Sequence, residues 1–227
     1  MWGGLSGLQS VLLAAVRQKR QDELDQKAQN IRHVPGTTDS EVEIPAPLDY
    51  SFLALATIED AEKEDPRIPM LGKVVSPKGT GKFAGRCLRM NNNQLAEIKT
   101  LKAFVTRMFV SPLMIGWLDL SFNCLTVIDN VLLEFPNLEI LYLHGNNISN
   151  IKEVDKLAKL TKLRKLTLHG NAVENEKGYR LYVLSTIPWL RNFDFSAVTK
   201  CEAKTADTWR RLNNASKKKK KTQAGED

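Results

Sequence analysis

One spacing constrains this chain more than anything else in it. Leucine-x-leucine-x-x-asparagine-x-leucine, or a near equivalent, recurs four times: Leu88, Met90, Asn93 and Leu95; Leu118, Leu120, Asn123 and Leu125; Leu141, Leu143, Asn146 and Ile148; Leu166, Leu168, Asn171 and Val173. In the last three units an apolar residue (Ile115, Leu138 or Leu163) stands three positions ahead of the first leucine. Successive asparagines lie 30, 23 and 25 residues apart. One match would be weak, but four in register mark a chain that stacks similar turns, with an insertion between the first and second.

The spacing has a physical reading. Side chains alternate across a strand, so apolar residues two apart point inward while the residue between them points out. The asparagine turns the chain, and its amide serves backbone groups that the turn would otherwise bury unpaired. No turn buries its apolar edge alone; stacked turns do, each touching only its neighbours. The predicted fold class is α/β: a solenoid forming a short horseshoe, with a parallel concave sheet and a helical convex side.

Composition narrows the setting. At 227 residues the chain holds one domain with tails. Its formal charge is +7, of which the five lysines at 217–221 supply +5 and leave +2 for the rest, so net charge gives no support to nucleic-acid binding by the folded body. Cys87, Cys124 and Cys201 are odd in number and far apart, without the spacing of a disulfide framework or zinc site. A reduced, intracellular compartment is expected. The opening run, with Leu5, Leu8, Val11, Leu12, Leu13 and Val16, has its cations behind it and is too short to span a bilayer. It reads as an amphipathic or frayed helix, with a mitochondrial transit peptide as the second reading.

Residues 1–82 are assigned to this leader and an extended arm, largely irregular, because charge runs mix with six prolines and no apolar period is sustained. Leu48, Tyr50, Phe52, Leu53 and Leu55 form one apolar patch in the arm, suited to docking on the solenoid or on a partner. Residues 83–213 form the repeat domain. Within it Ile98, Leu101, Phe104, Val105, Met108 and Phe109 recur at helical spacing and predict a helix covering the open N-terminal end of the core. Ile151, Val154, Leu157 and Leu160 predict a one-faced convex helix. Residues 214–227 are expected to be a disordered lysine-rich tail.

Past the fourth unit come Gly178-Tyr179-Arg180-Leu181-Tyr182-Val183-Leu184, Ile187-Pro188-Trp189-Leu190, Phe193-Asp194-Phe195 and Val198-Thr199. This segment resembles the C-terminal LRR cap of intracellular leucine-rich proteins of the phosphatase-regulatory, spliceosomal A-prime and axonemal dynein light-chain types. In that cap a tyrosine-arginine helix precedes a last strand ending in aspartate, and valine-threonine opens a closing helix. Pro47-Leu48-Asp49-Tyr50-Ser51-Phe52, the run from Trp117 to Asn123, the twin Leu143-His144-Gly145-Asn146 and Leu168-His169-Gly170-Asn171, and Glu176-Lys177-Gly178-Tyr179-Arg180 narrow the likeness. Together they resemble the leucine-rich repeat-containing protein 51 family over residues 45–212. The resemblance implies a small intracellular interaction protein without catalytic activity or cofactor, typical of organisms that build motile cilia.

Strand residues that alternate with the buried ones should line the concave face in columns about 4.8 Å apart. One column reads Cys87, Trp117, Ile140, Lys165 and Asn192; the next Arg89, Asp119, Tyr142, Thr167 and Asp194; the third Asn91, Ser121, His144, His169 and Ser196. Arg89, Trp117, Asp119, Ile140, Tyr142, His144, Lys165, Thr167, His169 and Asp194 are the expected partner-binding residues, because aromatic anchors ringed by polar groups are what binding hot spots look like. The competing reading is that the chain's own arm covers this face. His144 and His169 recur by repeat position, and two imidazoles without a third ligand do not make a zinc site.

No catalytic constellation stands out. Gly79-Thr80-Gly81-Lys82-Phe83 fails as a phosphate loop, since Ser76 stands where the first glycine belongs and Phe83 replaces the metal-binding hydroxyl. It reads as a basic turn. Lys217, Lys218, Lys219, Lys220 and Lys221 read as a solubility tail, as a patch attracted to an acidic surface, or as a nuclear address. The function expected is a non-enzymatic adaptor that binds a protein through its concave face, without cofactor, metal, small-molecule substrate or transmembrane segment. It is expected in the cytoplasm, in a ciliary or axonemal assembly. The rival is a nuclear ribonucleoprotein component.

Overall fold

The computed structural model describes residues 46–69, 76–77, 79 and 81–223, with side chains described as far as Leu212. The chain divides into a unit of Met1–Val42, which with the predicted opening helix lies outside the described residues, and a unit of Glu43–Asp227. The second unit carries one seven-stranded sheet in sequential order: β1 (Leu48–Asp49), β2 (Cys87–Arg89), β3 (Trp117–Asp119), β4 (Ile140–Tyr142), β5 (Lys165–Thr167), β6 (Asn192–Phe193) and β7 (Ser196–Ala197). The first six pair in parallel, and β7 returns antiparallel on β6. Register aligns Leu48, Leu88, Leu118, Leu141, Leu166 and Phe193 in one row, and that row is buried throughout. The chain forms the α/β repeat solenoid that the spacing predicts.

The asparagines hold successive turns together. Asn146 Nδ2 donates to Leu120 O at 3.0 Å and to Leu143 O at 2.9 Å, while its Oδ1 accepts from the Leu125 N–H at 3.0 Å. Asn123 makes the same three bonds to Met90, Leu120 and Leu95, and Asn171 to Leu143, Leu168 and Ile148. Each amide thus satisfies groups on its own turn and on the one before, as buried backbone groups require.

The structure differs from the sequence reading at both ends. Part of the presumed arm is an additional solenoid turn. β1 pairs with β2; Leu48, Tyr50, Leu55 and Ile58 are buried; Asn93 Nδ2 donates to Tyr50 O at 2.9 Å, and its Oδ1 accepts from Leu53 and Leu55 at 3.0 and 3.1 Å. The turn reads Leu48-x-Tyr50-x-x-Leu53-x-Leu55, with tyrosine replacing the second leucine and leucine the asparagine. The repeat domain therefore already includes Leu48 rather than beginning at 83. Beyond β1, the Arg67 N–H donates to Asp49 O at 2.7 Å and occupies part of the sheet's outer edge.

The predicted inserted helix is present as α1 (Leu101–Met108), with Leu101, Phe104 and Val105 buried. It does not form the N-terminal end, which the first turn covers. Phe104 instead packs edge-on to Tyr50, centroids 5.5 Å apart. The convex segment after Asn146 is a 3-10 turn (Ile151–Glu153) running into a short helix, α2 (Val154–Leu157), and Val154, Leu157 and Leu160 are buried as their period requires.

The cap comprises α3 (Tyr179–Thr186), the β6–β7 hairpin and α4 (Lys200–Gln223). Arg180 donates to Glu202 at 2.7 Å and to Phe193 O at 3.1 Å, tying α3 to both neighbours. Thr199 and Glu202 reciprocate at the start of α4: Glu202 accepts from the Thr199 N–H at 2.8 Å, and the Glu202 N–H donates to Thr199 Oγ1 at 3.2 Å. Arg180 and Thr199 together hold the Glu202 carboxyl down to about 2. α4 runs to Gln223, so the segment expected to be disordered from residue 214 is helical up to that point. A helix already nucleated against α3 extends at little cost through lysine and alanine, both good helix formers. Residues 224–227 lie outside the described residues.

Candidate functional site: the concave sheet face

Strands of three residues leave their two outer positions facing away from the core. Register sets Cys87, Trp117, Ile140, Lys165 and Asn192 in one column and Arg89, Asp119, Tyr142 and Thr167 in the next, as the repeat predicts. Across these columns runs a strip of rings. Trp117 meets Tyr142 edge-on at 6.0 Å, and Tyr142 meets His144 at 6.0 Å. The His144 and His169 imidazoles stack face to face at 4.7 Å with planes 11° apart. Stacked in this way, the rings do not converge on a point, and no metal-binding group of His, Cys, Asp or Glu occurs among the described residues.

Phe195 closes the strip. It lies 5.9 Å from Tyr142, 5.3 Å from His144 and 5.2 Å from His169, and 65% of it is exposed. Its position follows from the hairpin: Asp194 (φ 47°) and Phe195 (φ 60°) are both left-handed, the backbone of a two-residue turn matched to strand twist. Asp194 is fixed from three sides, accepting from the Leu168 N–H at 2.7 Å, the His169 N–H at 3.0 Å and Tyr179 Oη at 2.8 Å. Burial and the Asp194 charge push the Tyr179 phenol far up, so it stays a donor.

The polar groups of the face are mostly engaged. Arg89 bridges two turns, 3.2 Å from Asp49 and 3.9 Å from Asp119, and Asp119 also accepts from Ser121 Oγ at 2.6 Å. Thr167 Oγ1 sits 2.8 Å from His144 Nδ1. Burial, with His169 alongside, lowers the pKa of His144 against the opposing pull of Asp119 and Asp194, so the ring is neutral at neutral pH. Four polar atoms of this face, Arg89 Nε, Asn91 Oδ1, Trp117 Nε1 and His169 Nδ1, are buried without a hydrogen bond. Unpaired buried groups are uncommon in native folds and collect where a surface serves something other than stability.

Residues 97–223 match the model of the Leucine-rich repeat family. Over 172 residues, 76% of this chain and 88% of the relative, the sequence is 47% identical to Leucine-rich repeat-containing protein 51 of Rattus norvegicus. The human protein of that name is 46% identical over the same span. The chain belongs to the leucine-rich repeat-containing protein 51 family. Among solved structures, a chain of the Drosophila melanogaster SNF/U2A′ complex is similar at 23% identity and a TM-score of 0.48, covering 68% of this chain and 84% of that one.

For this family member, the structure sorts the predicted site residues. Trp117, Ile140 and Tyr142 stand together half-buried, with Lys165 exposed beside them, as expected. Asp119, Thr167 and His144 are buried at 8%, 2% and 9% exposure, so they shape the face rather than offer contacts. Asp194 is spent on the cap, and Ser196 leaves the third column because β7 doubles back on β6. The described arm residues do not cover the face; they extend the sheet.

Sequence reasoning missed a rim of phenylalanines. Phe52, Phe122 and Phe195 are each more than half exposed, and all three are left-handed, with φ of 59°, 51° and 60°. Phe52 and Phe122 occupy the same turn position as Asn92, Gly145 and Gly170, which are also left-handed. Glycine and asparagine relieve that conformation and phenylalanine does not, at a cost of about 1–3 kcal/mol each. At Gly145 a Cβ would meet Phe122 Cδ1 at 2.6 Å and displace the Phe122 ring, which lies over it and against His144 at 5.0 Å. A large apolar residue where repeats favour glycine or asparagine is the sequence signal that would have found the rim.

Proposed function

We propose that this chain is a non-enzymatic adaptor that holds a protein partner against its concave face, as a cytoplasmic component of a ciliary or axonemal assembly. The observation that carries the binding reading is the six-ring strip of Trp117, Tyr142, His144, His169, Phe195 and Phe122, whose exposed members sit on strained backbone at the edge of a rigid sheet. Exposed aromatic groups of this kind on a soluble domain favour contact with another macromolecule. Family membership supports an interaction role over a catalytic one. The ciliary setting is supported by the family resemblance of the repeats and cap.

The test is site-specific photocrosslinking in ciliated cells. A photoreactive phenylalanine analogue at Phe195 should trap a defined protein, while the same group at exposed Lys152 on the convex side should not. Equal products at both positions would remove the concave face from the proposal. A tagged full chain should concentrate in cilia; nuclear concentration would favour the ribonucleoprotein reading.

A further inference from the structure

The formal charge of this protein is carried by one element. α4 contains Lys200, Lys204, Arg210, Arg211 and the five lysines at 217–221 against Glu202 and Asp207, a net +7, which equals the charge of the whole chain. Every other segment together is neutral. The helix is anchored by its first half, where Ala206 is buried and Trp209 packs edge-on to Tyr182 of α3 at 5.9 Å. It then runs eleven residues past Leu212, about 16 Å at helical rise.

Beside the anchored half lies a mainly apolar groove of about 390 Å³, lined by Leu181 of α3 and by Lys204, Thr205, Thr208, Trp209 and Leu212 of α4. Apolar groove and basic helix are continuous along one element. We infer that this is a second docking surface, distinct from the concave sheet, and that its occupant is an acidic amphipathic segment of another protein. An apolar side chain of that segment would sit between Leu181 and Trp209, and its carboxylates would follow Lys204 and the lysine run. Charge complementarity selects an acid-rich partner, and the groove selects one that also has an apolar face. A bilayer fits less well, because residues 213–223 hold no large apolar residue to insert beside the lysines. A polyphosphate strand would use the lysines and leave the groove unexplained.

The test uses the full chain and a fluorescent glutamate-rich helical peptide with leucines at i and i+4. Binding should be at least about tenfold tighter than to an all-glutamate peptide, and should weaken but persist at about 0.5 M salt. Thr205→Glu with Thr208→Glu, both exposed helix positions, should abolish the salt-resistant part, and replacing the five lysines by glutamine should remove the salt-sensitive part. Trp117→Ala should change neither, which separates this surface from the concave one. Circular dichroism melts confirm that each variant is folded. Equal affinity for the all-glutamate peptide, indifference to the two glutamates, or tighter binding to oligouridine or phosphatidylserine vesicles than to the leucine-bearing peptide would each overturn the inference.

Discussion

At the residue scale, the asparagines and the stacked histidines carry quantitative consequences. Asn146→Ala removes three buried hydrogen bonds, two to the preceding turn and one within its own; the Leu120 and Leu143 carbonyls keep Asn123 and Asn171, but the Leu125 N–H loses its partner. With one orphaned group costing about 1–3 kcal/mol and two further bonds lost, the loss should be about 2 kcal/mol or more in a denaturant melt. A loss below about 1 kcal/mol would mean the ladder is dispensable. His144 gives a pH signature. Its pKa is lowered in the fold by burial and by His169, so the unfolded chain binds a proton first as the solution is acidified. Stability should therefore be full above about pH 6.5 and decline as pH falls below it. His144→Gln should flatten that decline. The Glu202 contribution, present above the ordinary carboxylate range and lost toward about 2, falls in a separate and more acidic window.

At the scale of elements, the first turn and the aromatic strip make different claims. The first turn buries Leu48, Tyr50, Leu55 and Ile58 and covers Leu88 and Phe104 of the next. A chain starting at residue 70 should melt well below the parent and bind a hydrophobic dye, since a solenoid end without its cap exposes core. An arm without structural role would leave the melt unchanged. Trp117→Ala with Tyr142→Ala should act the other way, keeping fold and melt close to the parent while weakening partner capture by about 2 kcal/mol or more. The two residues are half-buried on the face rather than in the core. If the melt collapses while folded protein still binds its partner, they belong to the fold instead.

At the scale of the whole molecule, stability is passed between neighbours. Leu143 is fully buried at the centre of the sheet, and its carbonyl accepts from Asn146 and Asn171. Leu143→Asp places an unpaired carboxylate there at a cost of several kcal/mol, which the adjacent turns cannot avoid sharing. Hydrogen exchange should show lost protection from β3 through β5 together; loss confined to the turn of Leu143 would contradict the stacked core.

What the sequence determined by itself is the part of the protein that repeats. Period-two alternation and one asparagine per turn are local rules, so the columns from Cys87 to Lys165 and the burial of Leu88, Leu118, Leu141 and Leu166 could be read from spacing alone. The ends follow no such rule, because a terminal turn packs against something unlike itself. Tyr50 and Leu53 disguise the first repeat, since the asparagine that bonds them belongs to the following turn forty residues on. The left-handed pair Asp194 and Phe195 arises from the amides of Leu168 and His169 and the phenol of Tyr179 gathering on one carboxylate. Only that tertiary closure swings Phe195 over the histidines, and only the packing of α4 on α3 nucleates the helix that carries the lysines.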